Sequence, residues 1–179
     1  MTTTKILDLN FKPFITQDDI ALEIAKVAAH INKDYEGKNV VCIAILNGAF
    51  MFAADIFRQF VNMNCELEFV KLASYQGTAS TGTITEMIGL EKDLANKHII
   101  ILEDIIDTGK TLHHFIETLN SKNVASIKIC ALLQKPDALQ YDIKTDYLCF
   151  NIPNKFVVGY GLDYDGLGRN LPEILQLAD

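Results

Sequence analysis

The chain has 179 residues, 49% hydrophobic and 22% charged, with ten Gly, four Pro and a formal net charge of -7 from 16 basic against 23 acidic side chains. A chain of this size buries about 70% of the surface that it exposes when unfolded, so a single domain over residues 1–179 needs no disulfide or metal staple. The composition excludes disordered, collagenous and low-complexity classes. The acidic balance argues against a surface that grips nucleic acid, since such grip rests on clustered Lys and Arg.

Cys42, Cys65, Cys130 and Cys149 are far apart in the sequence, and each lies in or beside an apolar run. They read as small core hydrophobes that stay reduced, which implies a cytoplasmic protein. Residues 1–10 lack the apolar core of about 7 to 15 residues that a secretory signal carries. Residues 40–57 are interrupted by Asn47, Gly48 and Asp55 and fall short of the ~20 apolar residues of a membrane span.

In chain order, Thr16-Gln17-Asp18-Asp19 has the form of a capping box, and Ile20, Ile24, Val27, Ala28 and Ile31 follow at helical spacing until Gly37. The chain is expected to open with this helix. Residues 40–46 form an apolar, β-branched run, the pattern of a strand buried on both faces, and residues 49–60 return to helical spacing. Residues 65–72 alternate apolar with charged side chains and predict a strand with one partly wet face. Residues 73–83 then break the rhythm with seven Ser, Thr or Gly in eleven positions, where compact domains prefer connections of about 4 to 6 residues. Further strands are expected at 98–102, 126–133, 147–150 and 156–159, and a helix at 110–119. Apolar strands alternating with helices indicate an α/β protein with a mostly parallel sheet flanked by helices on both faces. Ligands of such sheets bind at the carboxyl ends of the strands.

At one such end a buried strand runs into Glu103 and Asp104, then Asp107, then Thr108-Gly109-Lys110-Thr111, which opens a helix. That turn offers backbone N–H groups, two hydroxyls and the positive helix pole, a setting suited to a phosphate. Glu103 and Asp104 lie just upstream, where carboxylates can accept hydrogen bonds from paired sugar hydroxyls. The segment reads as a grip for a sugar phosphate. It is not a nucleoside triphosphate P-loop, because Asp104 stands where the first Gly of G-x-x-x-x-G-K-[ST] belongs. A purely structural reading has Asp107 or Thr108 capping the helix. Adjacent His113 and His114 point about 100 degrees apart on a helix and do not readily share a metal ion, so these, with His30 and His98, read as structural or surface groups.

Leu102-Glu103-Asp104-Ile105-Ile106-Asp107-Thr108-Gly109-Lys110-Thr111 resembles the phosphoribosyl pyrophosphate motif of the type I phosphoribosyltransferases. Leu46-Asn47-Gly48, Ser74-Tyr75, Gln134-Lys135-Pro136 and the run from Ile152 through Asp165 to Arg169 agree in order. The Lys-Pro and Lys-Phe-Val-Val-Gly-Tyr elements resemble the branch acting on 6-oxopurines. The resemblance implies the fold of that family, a mostly parallel sheet with a small hood and a mobile lid over about residues 73–93. It implies transfer of the phosphoribosyl group to N9 of hypoxanthine, and of guanine, giving IMP or GMP and pyrophosphate in purine salvage. A xanthine transferase and a nucleotide-sensing RNA-binding regulator of the same fold are the alternatives.

By the same resemblance, Glu103 and Asp104 hold the ribose hydroxyls, Asp107 is the general acid/base at purine N7, and Thr108, Gly109, Lys110 and Thr111 cradle the 5'-phosphate. Lys135 contacts the 6-oxo group; a Lys only donates, so it favours a carbonyl over an amino group. Phe156 stacks on the purine, Val157 meets its edge through the backbone, and Leu162 belongs to the same binding segment. Asn47, Gly48 and Arg169 face pyrophosphate, and Ser74 and Tyr75 belong to the lid that closes over the reacting centre. Mg2+ is the implied cofactor, with Glu103, Asp104 and Asp163 as its carboxylates, since an acidic protein needs cations to hold so anionic a substrate. Many relatives carry a basic residue where this chain has Asn47. A homodimer or homotetramer is implied, with no nucleic acid or membrane partner.

Overall fold

In the computed structural model, which describes residues 3–73 and 86–178, the apolar runs pair into one parallel sheet. Its strands are β3 (Asn39–Leu46), β4 (Asn64–Ala73), β6 (His98–Ile106), β7 (Ser126–Gln134) and β8 (Tyr147–Asn151), with β5 (Glu86–Ile88) antiparallel at one edge, in the order β5-β4-β3-β6-β7-β8. Alternation sends successive side chains to opposite faces. Val40, Cys42, Ala44, Ile100 and Leu102 pack against α1 (Gln17–Asp34) and α2 (Phe50–Phe57), whereas Val41, Ile43, Ile45, Ile99 and Ile101 pack against α3 (Lys110–Asn120). Both faces are dry, so the central strands carry unbroken apolar runs. Ile101 is fully buried, and Ile101→Val is expected to lower stability by about 0.5–1.5 kcal/mol in a denaturant melt.

Thr16 caps α1, its Oγ1 accepting the Asp19 N–H at 3.2 Å, and Asp18 and Asp19 sit at the positive pole. Among the described residues no helix is long and apolar enough to cross a membrane.

Several expectations need correction. The chain opens not with α1 but with two strands, β1 (Thr4–Ile6) and β2 (Leu9–Ile15). These join β9 (Val157–Val158) and β10 (Ile174–Leu177) in a four-stranded antiparallel sheet, order β1-β2-β10-β9, which forms the hood over its own small core of Ile6, Phe11, Val158 and Leu175. Phe156 lies just outside β9. The helix expected at 49–60 ends at Phe57. β6 runs on to Ile106, beyond the strand expected at 98–102, so Glu103 and Asp104 are strand residues held by pairing with β7. Neither Asp107 nor Thr108 is the N-cap of α3; Gly109 is, at φ 79, a left-handed conformation that suits glycine. The cysteines are not all apart either. Neighbouring β3 and β4 bring the Sγ atoms of Cys42 and Cys65 to 3.3 Å, though all four thiols are free.

Candidate active site

The carboxyl ends of β3, β6 and β7 converge with the first turn of α3. A cavity of about 160 Å³ opens there, lined by Glu103, Asp107, Thr108, Gly109, Lys110 and Thr111 among others. The loop is held from outside: the Gln140 N–H donates to the Thr108 carbonyl at 3.0 Å, and a Cβ on Gly109 would come within 2.8 Å of Ile143. The Lys110 N–H reaches Thr108 Oγ1 at 3.4 Å. Small residues therefore leave space at a helix N-terminus, which is the geometry that receives a phosphate.

Asp104 Oδ1 accepts the N–H of Ile105 at 2.8 Å. Burial, with the neighbouring Asp104 charge, pushes the Glu103 carboxyl well above the usual carboxylate range, and burial also raises Asp104. The hydrogen bond from the Ile105 N–H, and to a smaller degree the Arg169 charge, pull Asp104 back down in part. Glu103 Oε2 is buried with no hydrogen-bond partner. A buried, unpaired carboxylate oxygen costs stability, so this pair is poised for hydroxyl donors or a cation.

Lys135, at the end of β7, is 7% exposed, and its Nζ donates to Asp107 Oδ2 at 3.2 Å. The Lys135 N–H is fixed on the Ile106 carbonyl at 2.9 Å, which aims a buried ammonium at the rim of the cavity. A solvated strand-end Lys is therefore not what the fold provides. Asp107 itself is half exposed and open to a ligand.

On the hood side, Phe156 is 42% exposed, with its ring against Phe11 and Tyr164. Val157 and Leu162 are buried. The backbone N–H and carbonyl of Leu162 are both paired with Gly159. The Leu46–Asn47 peptide is cis. Gly48 then passes so near Asp104 that a Cβ would fall 1.5 Å from Oδ2. The Gly48 carbonyl in turn lies against Gly161, whose own carbonyl accepts from Arg169 Nη1 at 2.6 Å. Arg169 Nη2 pairs with Asp163 Oδ1 at 2.7 Å, and Asp163 Oδ2 accepts the Gly166 N–H at 2.7 Å. One chain of contacts thus joins Asp104, Gly48, Gly161, Arg169 and Asp163.

Ser74 and Tyr75, and residues 74–85 of the expected lid, lie outside the described residues. His113 and His114 both lie against Glu117 and Tyr141. A separate cavity of about 500 Å³ between α1, α2 and Tyr160 contains none of the expected residues. Among the described residues no group of three or more His, Cys, Asp or Glu could hold a metal ion alone. The oxygen-only donors Glu103, Asp104 and Asp163 nevertheless suit Mg2+, which commonly completes its shell with water and substrate phosphate. Sequence reasoning missed Phe11, Tyr164 and Gly161 as supports of the site. The period-2 pattern of Leu9, Phe11, Pro13 and Ile15 was the available signal for Phe11.

A strand end with paired acids, a phosphate-sized N-terminal cavity and a hood carrying an exposed aromatic define a phosphoribosyl transferase, and a family model described as the phosphoribosyl transferase domain matches residues 15–165. The hypoxanthine-guanine phosphoribosyltransferase of Streptococcus pneumoniae is 41% identical over 169 residues, 94% of this chain and 93% of that protein. The crystal structure of a hypoxanthine phosphoribosyltransferase from Staphylococcus aureus superposes with a TM-score of 0.85 at 37% identity, covering 93% of this chain and 91% of that one. A Trypanosoma cruzi hypoxanthine phosphoribosyl transferase gives 0.87 at 31%, covering 98% and 95%. The chain belongs to the hypoxanthine-guanine phosphoribosyltransferase family.

Proposed function

We propose that this chain transfers the 5-phosphoribosyl group of phosphoribosyl pyrophosphate to N9 of hypoxanthine and guanine, releasing pyrophosphate. The observation that carries the reading is the buried Lys135 paired with Asp107 directly beside the cavity at the start of α3. Thr108, Gly109, Lys110 and Thr111 bind the 5'-phosphate. Glu103 and Asp104 accept from the ribose hydroxyls, which provides the missing partner for Glu103 Oε2. Lys135 donates to the 6-oxo group, Phe156 stacks on the ring, and Val157 meets its edge while Leu162 packs beneath. As N9 forms its bond to the anomeric carbon, pyrophosphate leaves with the electrons of the broken C–O bond, and Asp107 takes the proton from N7. Mg2+ supplies charge neutralisation for the pyrophosphate when bound. Glu103, Asp104 and Asp163 would hold it, Asp163 directly or through water. Arg169, Asn47 and Gly48 face the pyrophosphate within a single domain, and the expected lid is cut back from residue 93, because Glu86–Ile88 pair with β4 and Leu90 is buried in the core.

With Asn47 in place of a cation, the close approach of the Gly48 backbone matters more. Gly48→Ala forces Asp104 aside and is expected to raise KM for phosphoribosyl pyrophosphate about tenfold, with a smaller effect on the purine. Initial-rate kinetics in both substrates check this. The same reading places the chain in the cytoplasm as a homodimer or homotetramer, in keeping with its free thiols and with the exposed Phe50, Val61 and Phe69.

An ultraviolet assay with phosphoribosyl pyrophosphate, Mg2+ and each purine in turn tests the assignment. Hypoxanthine and guanine are expected to react and adenine to be rejected. Turnover of xanthine or adenine alone would overturn it.

A further inference from the structure

We propose that Tyr164 is a positioning residue that sets the plane of the purine-stacking ring and ties it to the amino-terminal hairpin. The inference rests on the reading of Phe156 as the stacking platform. Phe156 is 42% exposed, and a ring so open would ordinarily swing between rotamers and lose that freedom only on binding, which weakens the complex.

Here two rings hold it from behind. Tyr164 meets Phe156 edge to face, with centroids 5.8 Å apart and planes at 84°, and Phe11 lies 6.0 Å away at 47°. Phe11 and Tyr164 also touch, at 6.3 Å. Phe11 is fully buried in β2 and gives the trio a fixed base. The phenol of Tyr164 donates to Asp8 Oδ1 at 2.7 Å in the turn between β1 and β2, which anchors the far end of the side chain to the amino-terminal hairpin. Its backbone is fixed too, its N–H and carbonyl pairing with Leu167 at 2.9 and 3.0 Å. Tyr164 directly follows Asp163, so one short hairpin carries both the clamp on the base platform and the carboxylate that pairs with Arg169. Edge-to-face pairs add to simple burial because the positive ring edge meets the negative face.

The test compares steady-state kinetics of Tyr164→Leu, Tyr164→Phe and Phe156→Leu. Y164L is expected to raise KM for hypoxanthine about fivefold and to leave KM for phosphoribosyl pyrophosphate within about twofold. Y164F keeps the ring and is expected to stay within about twofold of the unaltered protein for both substrates. F156L, which removes the platform itself, is expected to raise KM for hypoxanthine about tenfold. A merely structural Tyr164 would lower kcat and melting temperature with no selective change in the purine KM. If F156L raises that KM and Y164L does not, or if Y164L weakens both substrates equally, the clamp is overturned while the platform stands. If F156L leaves it unchanged, the platform reading falls and the clamp with it. Should Y164L not fold, Y164M is read by the same criteria.

Discussion

Asp107→Asn is expected to lower kcat about 10²-fold or more, the scale of losing a general acid/base, with KM for phosphoribosyl pyrophosphate nearly unchanged. The fold gives a reason to expect that separation. Asp107 is half exposed, and its recorded side-chain partner is Lys135 Nζ, so an isosteric amide can keep the donor–acceptor contact while losing the capacity to take a proton. The loop does not depend on Asp107 as a cap, because Gly109 starts α3. Circular dichroism and melting should therefore match the unaltered protein. Turnover within a few-fold of normal would remove Asp107 from proton transfer and leave it a positioning role for Lys135.

Lys135→Ala is expected to reduce the preference for hypoxanthine over adenine by about 1–3 kcal/mol, the cost of losing a buried donor to the 6-oxo group. Ratios of kcat/KM for the two bases measure it. Lys135 is 7% exposed and fixed through its backbone on Ile106, so its ammonium is held in one place for the base. Its partner Asp107 faces solvent, so truncation strands no buried charge and the variant should fold. An unchanged preference would show that the 6-oxo group is read elsewhere.

The central sheet was legible because dry strands leave long β-branched runs, as in residues 40–46 and 98–102, and because Thr16 and Gly37 punctuate α1. Of the hood only the strand at 156–159 was legible; β1, β2 and β10 were not, for they are drawn from distant parts of the chain and β1 and β10 are very short. Ile174–Leu177 in particular gives too few residues for periodicity to register. The acidic stretch pointed to a sugar phosphate from residue types alone, yet placing Glu103 and Asp104 within β6 depended on pairing with β7 that no local pattern encodes. For Lys135 the residue type indicated a donor to a carbonyl but not how it is held. Its burial beside Asp107 is a tertiary fact, produced when β6 and β7 end side by side. The same holds for Gly48, whose approach to Asp104 follows from the neighbouring ends of β3 and β6.

Calorimetric titration of the protein with phosphoribosyl pyrophosphate, with Mg2+ and again with a chelator, tests most directly whether the end of β6 and the turn into α3 bind an activated ribose phosphate. Saturable binding that needs Mg2+ and is lost in Asp104→Ala is the result expected. Absence of binding at saturating Mg2+, or binding that D104A leaves intact, would contradict the account.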